Sequence, residues 1–148
     1  MTQIVPPARD TYRWFLPIQT RWIDNDVYGH VNNAVYYAYF DTVINAYLIG
    51  VGALDIHHGP TVGLCVESQC RYIAPAAYPE PLEGGLVVAH LGRSSVRYEV
   101  GIFRAHQADG DGLSAFGHFV HVFVDRVTRR SVPMPDSIRT ALERIRTP

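Results

Sequence analysis

The apolar positions of the chain divide it into a strand, one long apolar segment, and four further strands. Trp14 to Trp22 (WFLPIQTRW) ends in alternation, with Ile18, Thr20 and Trp22 on one side and Gln19 and Arg21 on the other, predicting a half-buried strand. From Asn33 to Ile49 (NAVYYAYFDTVINAYLI) there is no Gly or Pro, and Asp41 is the only charge. A segment apolar on nearly every side predicts a helix buried in the protein, and Gly50 and Gly52 supply its stop. Thr61 to Ala74, Leu82 to Gly92, Ser94 to His106 and Leu113 to Val127 are rich in Val, Tyr and Phe and partly alternate, so they read as strands. The turn signals between them are PAAYPEP, GR and ADGDG, the clearest hairpin turn falling at Asp109 to Gly112. A short amphipathic helix closes the chain, with Asp136 or Ser137 as cap and Ile138, Leu142 and Ile145 on one face. An apolar helix needs cover on most of its circumference, which a strongly curved five-stranded antiparallel sheet supplies. The expectation is an α+β fold in a single domain, residues 1–148, whose open sheet edges and exposed helix flank favour a dimer.

Composition narrows the class. At 148 residues and 47% hydrophobic, the chain can bury a core without disulfides. Cys65 and Cys70 sit in one predicted strand, on opposite faces or too far apart to bridge, and are expected to be reduced core residues of a cytoplasmic protein. No apolar run approaches the ~20 residues that span a bilayer, and MTQIVPPARD has no apolar signal core. The 13 basic and 14 acidic residues are spread along the chain, unlike the basic footprint of a nucleic-acid binder. All the basic residues are Arg; a few of them grip phosphate, or the absence of Lys is a bias of composition.

The candidate chemistry lies in Asp24 to Asn33, DNDVYGHVNN, where two acids, a histidine, three amides and a glycine directly precede the long apolar segment. A turn needs only a few such residues. Asp24, Asp26 and Gly29 match positions one, three and six of a calcium loop, but Tyr28 and Val35 occupy positions five and twelve, so two ligands are missing. A zinc site on His30 with Asp24 or Asp26 lacks a further His or Cys at a useful spacing. His57 and His58 fall in a loop and read as solvated, and His90, His106, His118 and His121 fall in strands and read as structural or surface. Acyl transfer at a helix N-terminus remains. The free N–H groups and positive dipole end of a helix starting at Asn32 or Asn33 face this loop and can hold a carbonyl oxygen that becomes an oxyanion. Asp26, the better placed acid, can attack that carbonyl or take a proton from water. The plainer reading, that Asp24 and Asp26 only cap the turn and the helix, stays open from the residues alone.

Thr20 to Asp41, TRWIDNDVYGHVNNAVYYAYFD, resembles the signature of hotdog-fold acyl-CoA thioesterases of the 4-hydroxybenzoyl-CoA thioesterase branch. That signature runs R-x-x-D-x-D-x-x-G-H-V-x-N-x-x-Y-x-x-Y-F-E, and Asp41 stands where Glu is more usual. ESQCRYIAPAAYPEPL, GRSSVRYEVGIF and GHFVHVFVDRVTRRSVPMP are similar to later strands and turns of the family. The resemblance implies a hotdog fold and a homodimer or homotetramer whose sheets join. It places the active site at the dimer interface, at the start of the central helix. Asp26 then matches the catalytic carboxylate, and Asn33 lies where a backbone N–H polarises the thioester carbonyl. His30 fixes the loop or protonates the leaving thiolate, the structural role being favoured; Asp24 stabilises the loop, and Asp41 is the reserve catalytic carboxylate. Arg93, with Ser94 in the GRSS turn, and Arg130 match positions that meet CoA phosphates. The implied reaction is hydrolysis of an acyl-CoA to carboxylate and CoA without metal or cofactor, CoA being part of the substrate and preferred over acyl carrier protein. Two alternatives are weighed beside it. An enoyl-thioester hydratase or dehydratase would space Asp and His as D-x-N-x-x-H, unlike Asp26 and His30, and a non-catalytic acyl-CoA binder would have no need of Asp26.

Overall fold

A computed structural model describes residues 3–105 and 111–148. The elements run β1 (Trp14–Ile18), α1 (Val35–Gly50), β2 (Thr61–Tyr72), β3 (Leu82–Leu91), β4 (Ser95–Arg104), β5 (Leu113–Asp125) and α2 (Asp136–Glu143). One antiparallel five-stranded sheet, in the order β1-β3-β4-β5-β2, curves around α1. This is the expected α+β hotdog arrangement. Asp109 and Gly110 of the expected hairpin turn, and His106, lie outside the described residues.

The alternation of the strands sets the packing. Leu82, Leu86 and Val88 of β3, Val96, Tyr98, Val100 and Ile102 of β4, and Phe119 and Phe123 of β5 meet Tyr36, Phe40, Val43, Ile44, Tyr47 and Leu48 of α1 in one core. Gly84 lets α1 lie close, since a Cβ there would overlap Val43. Ile138, Leu142 and Ile145 are buried, as expected from their spacing, but the cap of α2 is not: Pro135 holds that place, with no side-chain hydrogen bond.

Four local expectations are corrected. β1 ends at Ile18, where its partner β3 begins at Leu82, and Trp22 instead opens a 3₁₀ turn, Trp22–Asp24, and is 83% exposed. Helix α1 starts two residues late because Asn32 takes both leading N–H groups: its Oδ1 accepts from Ala34 at 2.9 Å and its carbonyl from Val35 at 3.0 Å. Nor is α1 covered all round, because Ala38, Asp41, Thr42 and Ile49 leave one flank open. Cys65 is exposed rather than in the core, because β2 is an edge strand, while Cys70 is half-buried; both are free thiols.

The two sheet edges differ. β1 is short and carries Pro17, which cannot donate to a neighbour. β2 is 12 residues long without proline, and Leu64 to Gln69 are exposed in succession. It is the edge suited to pairing.

Candidate active site

The loop between β1 and α1 is held by one buried carboxylate. Asp24 is fully buried and accepts from the Arg21 backbone N–H at 2.9 Å, from Arg21 Nε at 3.0 Å and from the Tyr39 hydroxyl at 2.7 Å. Burial alone would raise its pKa, but these hydrogen bonds from Tyr39 and Arg21 outweigh it and hold the carboxyl below the usual carboxylate range. Its carbonyl accepts from Asn32 N–H at 2.9 Å, so Asp24 ties the loop to α1 at both ends. Asn25 does the same for the neighbouring turn, its Oδ1 accepting from Tyr78 N–H at 2.9 Å.

This frame presents Asp26 in a half-buried position. Oδ1 accepts from Tyr28 N–H at 2.9 Å and Oδ2 from Asn32 Nδ2 at 3.2 Å, so both oxygens are fixed and each keeps a lone pair. The backbone closes tightly beneath it, Asp26 N–H donating to the His30 carbonyl at 3.0 Å with Gly29 at φ +84°. Asp26 opens into a cleft of about 650 Å³ with Trp22, Val27, Tyr28 and Asn32 on its walls. Val27 and Tyr28 are 95% and 84% exposed, an apolar lip around the carboxylate.

Asn33 is exposed, and its N–H makes no hydrogen bond among the described residues. Its carbonyl accepts from the Tyr72 hydroxyl at 2.8 Å, which pins the start of α1 to the end of β2. Asn33 and His30 share a second cleft, of about 260 Å³, with Tyr36, Tyr72 and Ala74. His30 is exposed there and lies beside the start of α1.

The residue that reading the sequence missed is Asn32. It caps the approach to α1 and holds Asp26 with the same side chain, so one residue positions the carboxylate against the helix start. The Asn-Asn pair was the available signal, but sequence spacing alone does not say which of the two turns inward. Replacing Asn32 by Ala frees one Asp26 oxygen and the Ala34 N–H; the expected result is a loss of about 10- to 100-fold in kcat with KM little changed, measured by thiol release.

The other expected site residues are not gathered in this cleft. Asp41 is exposed on the open flank of α1, where Asn45 Nδ2 donates to its Oδ1 at 3.0 Å. Arg93 and Arg130 are exposed and form no ion pair among the described residues, and Ser94 is half-buried, its carbonyl accepting from Phe123 N–H at 2.8 Å. The arginines lie at the opposite end of the sheet from Asn33. Arg130 binds Asp125, which faces Thr61 at one end of β2, whereas Asn33 meets Tyr72 at the other. At ~3.3 Å per residue, 12-residue β2 separates them by about 36 Å. Among the described residues no three His, Cys, Asp or Glu come together as metal ligands, and no helix is long and apolar enough to cross a membrane.

The chain matches the thioesterase-like superfamily over residues 19–142. It belongs to that family. Its structure superposes on the PA5185 protein of Pseudomonas aeruginosa with TM-score 0.89 and 51% identity, covering 95% of this chain and 96% of that one. A second P. aeruginosa protein, PA2801, named as a candidate thioesterase, is 32% identical with TM-score 0.77, covering 86% and 96% of the two chains. The 1,4-dihydroxy-2-naphthoyl-CoA thioesterase Slr0204 of Synechocystis shares the fold, with TM-score 0.78 at 19% identity and 86% and 93% coverage. No curated protein matches the chain. As a thioesterase-like superfamily member, the protein is a thioester hydrolase.

Proposed function

We propose that the protein hydrolyses an acyl-CoA to carboxylate and free CoA, with Asp26 as the catalytic carboxylate and without a metal. The observation that carries this is the pairing of a fixed carboxylate with a helix start: Asn32 holds Asp26 while the next N–H, that of Asn33, is left without a partner among the described residues. The thioester carbonyl oxygen accepts from Asn33 N–H, where the α1 dipole stabilises the charge that develops on it. Asp26 takes a proton from water as the water oxygen bonds to the carbonyl carbon, or attacks that carbon itself to form an anhydride that water then opens. In either route the C–S bond breaks and the thiolate leaves as CoA after gaining a proton. His30 supports the loop beside this centre.

The arginines enter from a second copy. A site drawing on Asp26 and Arg93 or Arg130 of one chain would have to bridge the length of β2. Antiparallel pairing of β2 with β2 of a second copy brings the arginine end of one beside the Asn33 end of the other, covers the open flank of α1, and gives the exposed edge a partner. The proposal is therefore a homodimer with two sites, each using Asp26 and Asn33 from one copy and Arg93, Ser94 and Arg130 from the other to hold the CoA phosphates.

The test is thiol release from a panel of short, medium, long and aromatic acyl-CoAs. Turnover of at least one member well above the rate in buffer is expected; no release from any member would overturn the acyl-CoA reading.

A further inference from the structure

A third cavity, of about 140 Å³, lies between α1, the segment after it and the inner face of β2 and β5, walled by Asn45, Leu48, Leu54, Gly63, His121 and Phe123. It approaches the ~150 Å³ of a core cavity that holds a benzene ring. Its walls are apolar except for Asn45 and His121. His121 is only 5% exposed, and neither ring nitrogen has a hydrogen-bond partner among the described residues. His118, on the other face of β5, is held by Glu67 and Arg97. Among the described residues the side-chain atoms shut off from solvent without a partner are Tyr98 Oη and Arg104 Nε; the His121 ring borders the cavity instead, where its nitrogens can meet an incoming polar atom.

The room beside it comes from a missing side chain. A Cβ on Gly63 would stand 3.3 Å from His121 Nδ1, so that nitrogen faces the space the glycine leaves. Asn45 uses its Nδ2 on the Asp41 carbonyl and carboxylate, at 2.9 and 3.0 Å, which places Asp41 at the margin of the cavity. Burial lowers the pKa of His121 against the opposing pull of Asp41, so the ring is neutral at pH 7, with one donor and one acceptor nitrogen. A neutral ring in an apolar box favours an uncharged oxygen. A carboxylate would lose its hydration there without gaining a counter-charge.

We propose that His121 is a specificity-determining residue that reads a hydroxyl oxygen at the far end of a compact acyl group, whose carbon skeleton fills the cavity beside Gly63. This rests on the homodimer proposed above, in which antiparallel pairing of β2 brings the Gly63 end of one copy, with this cavity, beside the Asn33 end of the other, where the thioester is held.

The test uses isosteric substrate pairs, ω-hydroxyacyl-CoAs against acyl-CoAs with a methyl in place of the hydroxyl, such as 5-hydroxypentanoyl against hexanoyl. Wild type is expected to favour the hydroxylated member of at least one pair by about tenfold or more in kcat/KM. His121→Leu should bring that ratio within about twofold by slowing the hydroxylated member alone. Gly63→Ala, which leaves the imidazole in place but fills the room beside it, should slow both members and serves if His121→Leu fails to fold. A wild type indifferent to the hydroxyl in every pair, or a preference that survives His121→Leu, overturns the assignment. If no acyl-CoA is hydrolysed at all, the thioesterase reading fails, and binding decides this one separately: His121 ring resonances that shift with phenol but not with isosteric toluene sustain it, and equal or absent shifts overturn it.

Discussion

Asp26→Asn is expected to lower kcat/KM by about a thousandfold on the best acyl-CoA, with the melting temperature nearly unchanged. The amide keeps the size of the carboxylate, and its oxygen can still accept from Tyr28 N–H. Its NH₂ would face the NH₂ of Asn32 where a carboxylate oxygen now accepts, and it can neither take a proton from water nor attack a carbonyl. Because Asp26 is half-exposed, the change in stability should stay within about 0.5 kcal/mol. Thiol-release kinetics beside a thermal melt separate the two effects. Asp41→Asn serves as the contrast, because Asp41 stands on the α1 flank with Asn45 and away from the Asn33 N–H. A folded Asp26→Asn protein with full activity, beside a dead Asp41→Asn protein, would transfer the chemistry to Asp41.

Asp24→Ala is expected to cost stability rather than chemistry, at about 2–3 kcal/mol. The change strips the acceptor from the buried Tyr39 hydroxyl and from two N–H groups of Arg21. The Arg21 side chain is 65% exposed and can be hydrated in place, which keeps the loss at the low end for a broken ion pair. The pH dependence follows from the direction of the shift. The folded-state pKa of Asp24 lies below its unfolded value, so its contribution is fully present above about pH 4 and is lost as the pH falls through the depressed folded value. Urea unfolding at pH 7 and pH 3 measures this. Wild type should lose more stability between the two than Asp24→Asn, and equal losses would show that Asp24 contributes nothing to the acid sensitivity.

The fold was legible because its periodicities are local. Alternation in β3, β4 and β5 and the unbroken apolar segment of α1 each report which face meets the core, and one order of elements satisfies them all. What escaped was set by contacts between distant residues. Trp22 continued the alternation of β1 in sequence, yet the strand has no partner beyond Leu82. The start of α1 was placed two residues early because the side chain of Asn32, rather than helix propensity, decides it. Cys65 looked like a core residue until the sheet order made β2 an edge. Likewise, Asp26 and Asn33 were visible as chemistry-bearing types before a helix, but the hydrogen bond from Asn32 that positions Asp26 was not. The separation of the arginines from Asn33 along β2 could be seen only with the strands paired, because it depends on which end of β2 meets Asp125. His121 sat in a strand among other histidines, and its place in the wall of a cavity is a property of the packed inner face alone.

The proposed site is completed by two copies, and complementation tests that most directly. Asp26→Asn and the double variant Arg93→Glu/Arg130→Glu are made with different affinity tags, co-expressed, and purified through both tags as the heterodimer. Each homodimer should be nearly inactive at low acyl-CoA concentration. The heterodimer carries one site with its aspartate from one copy and intact arginines from the other, so it should recover about half of wild-type kcat/KM. A heterodimer no more active than the two homodimers, or a protein that is active as a monomer, would contradict the shared site.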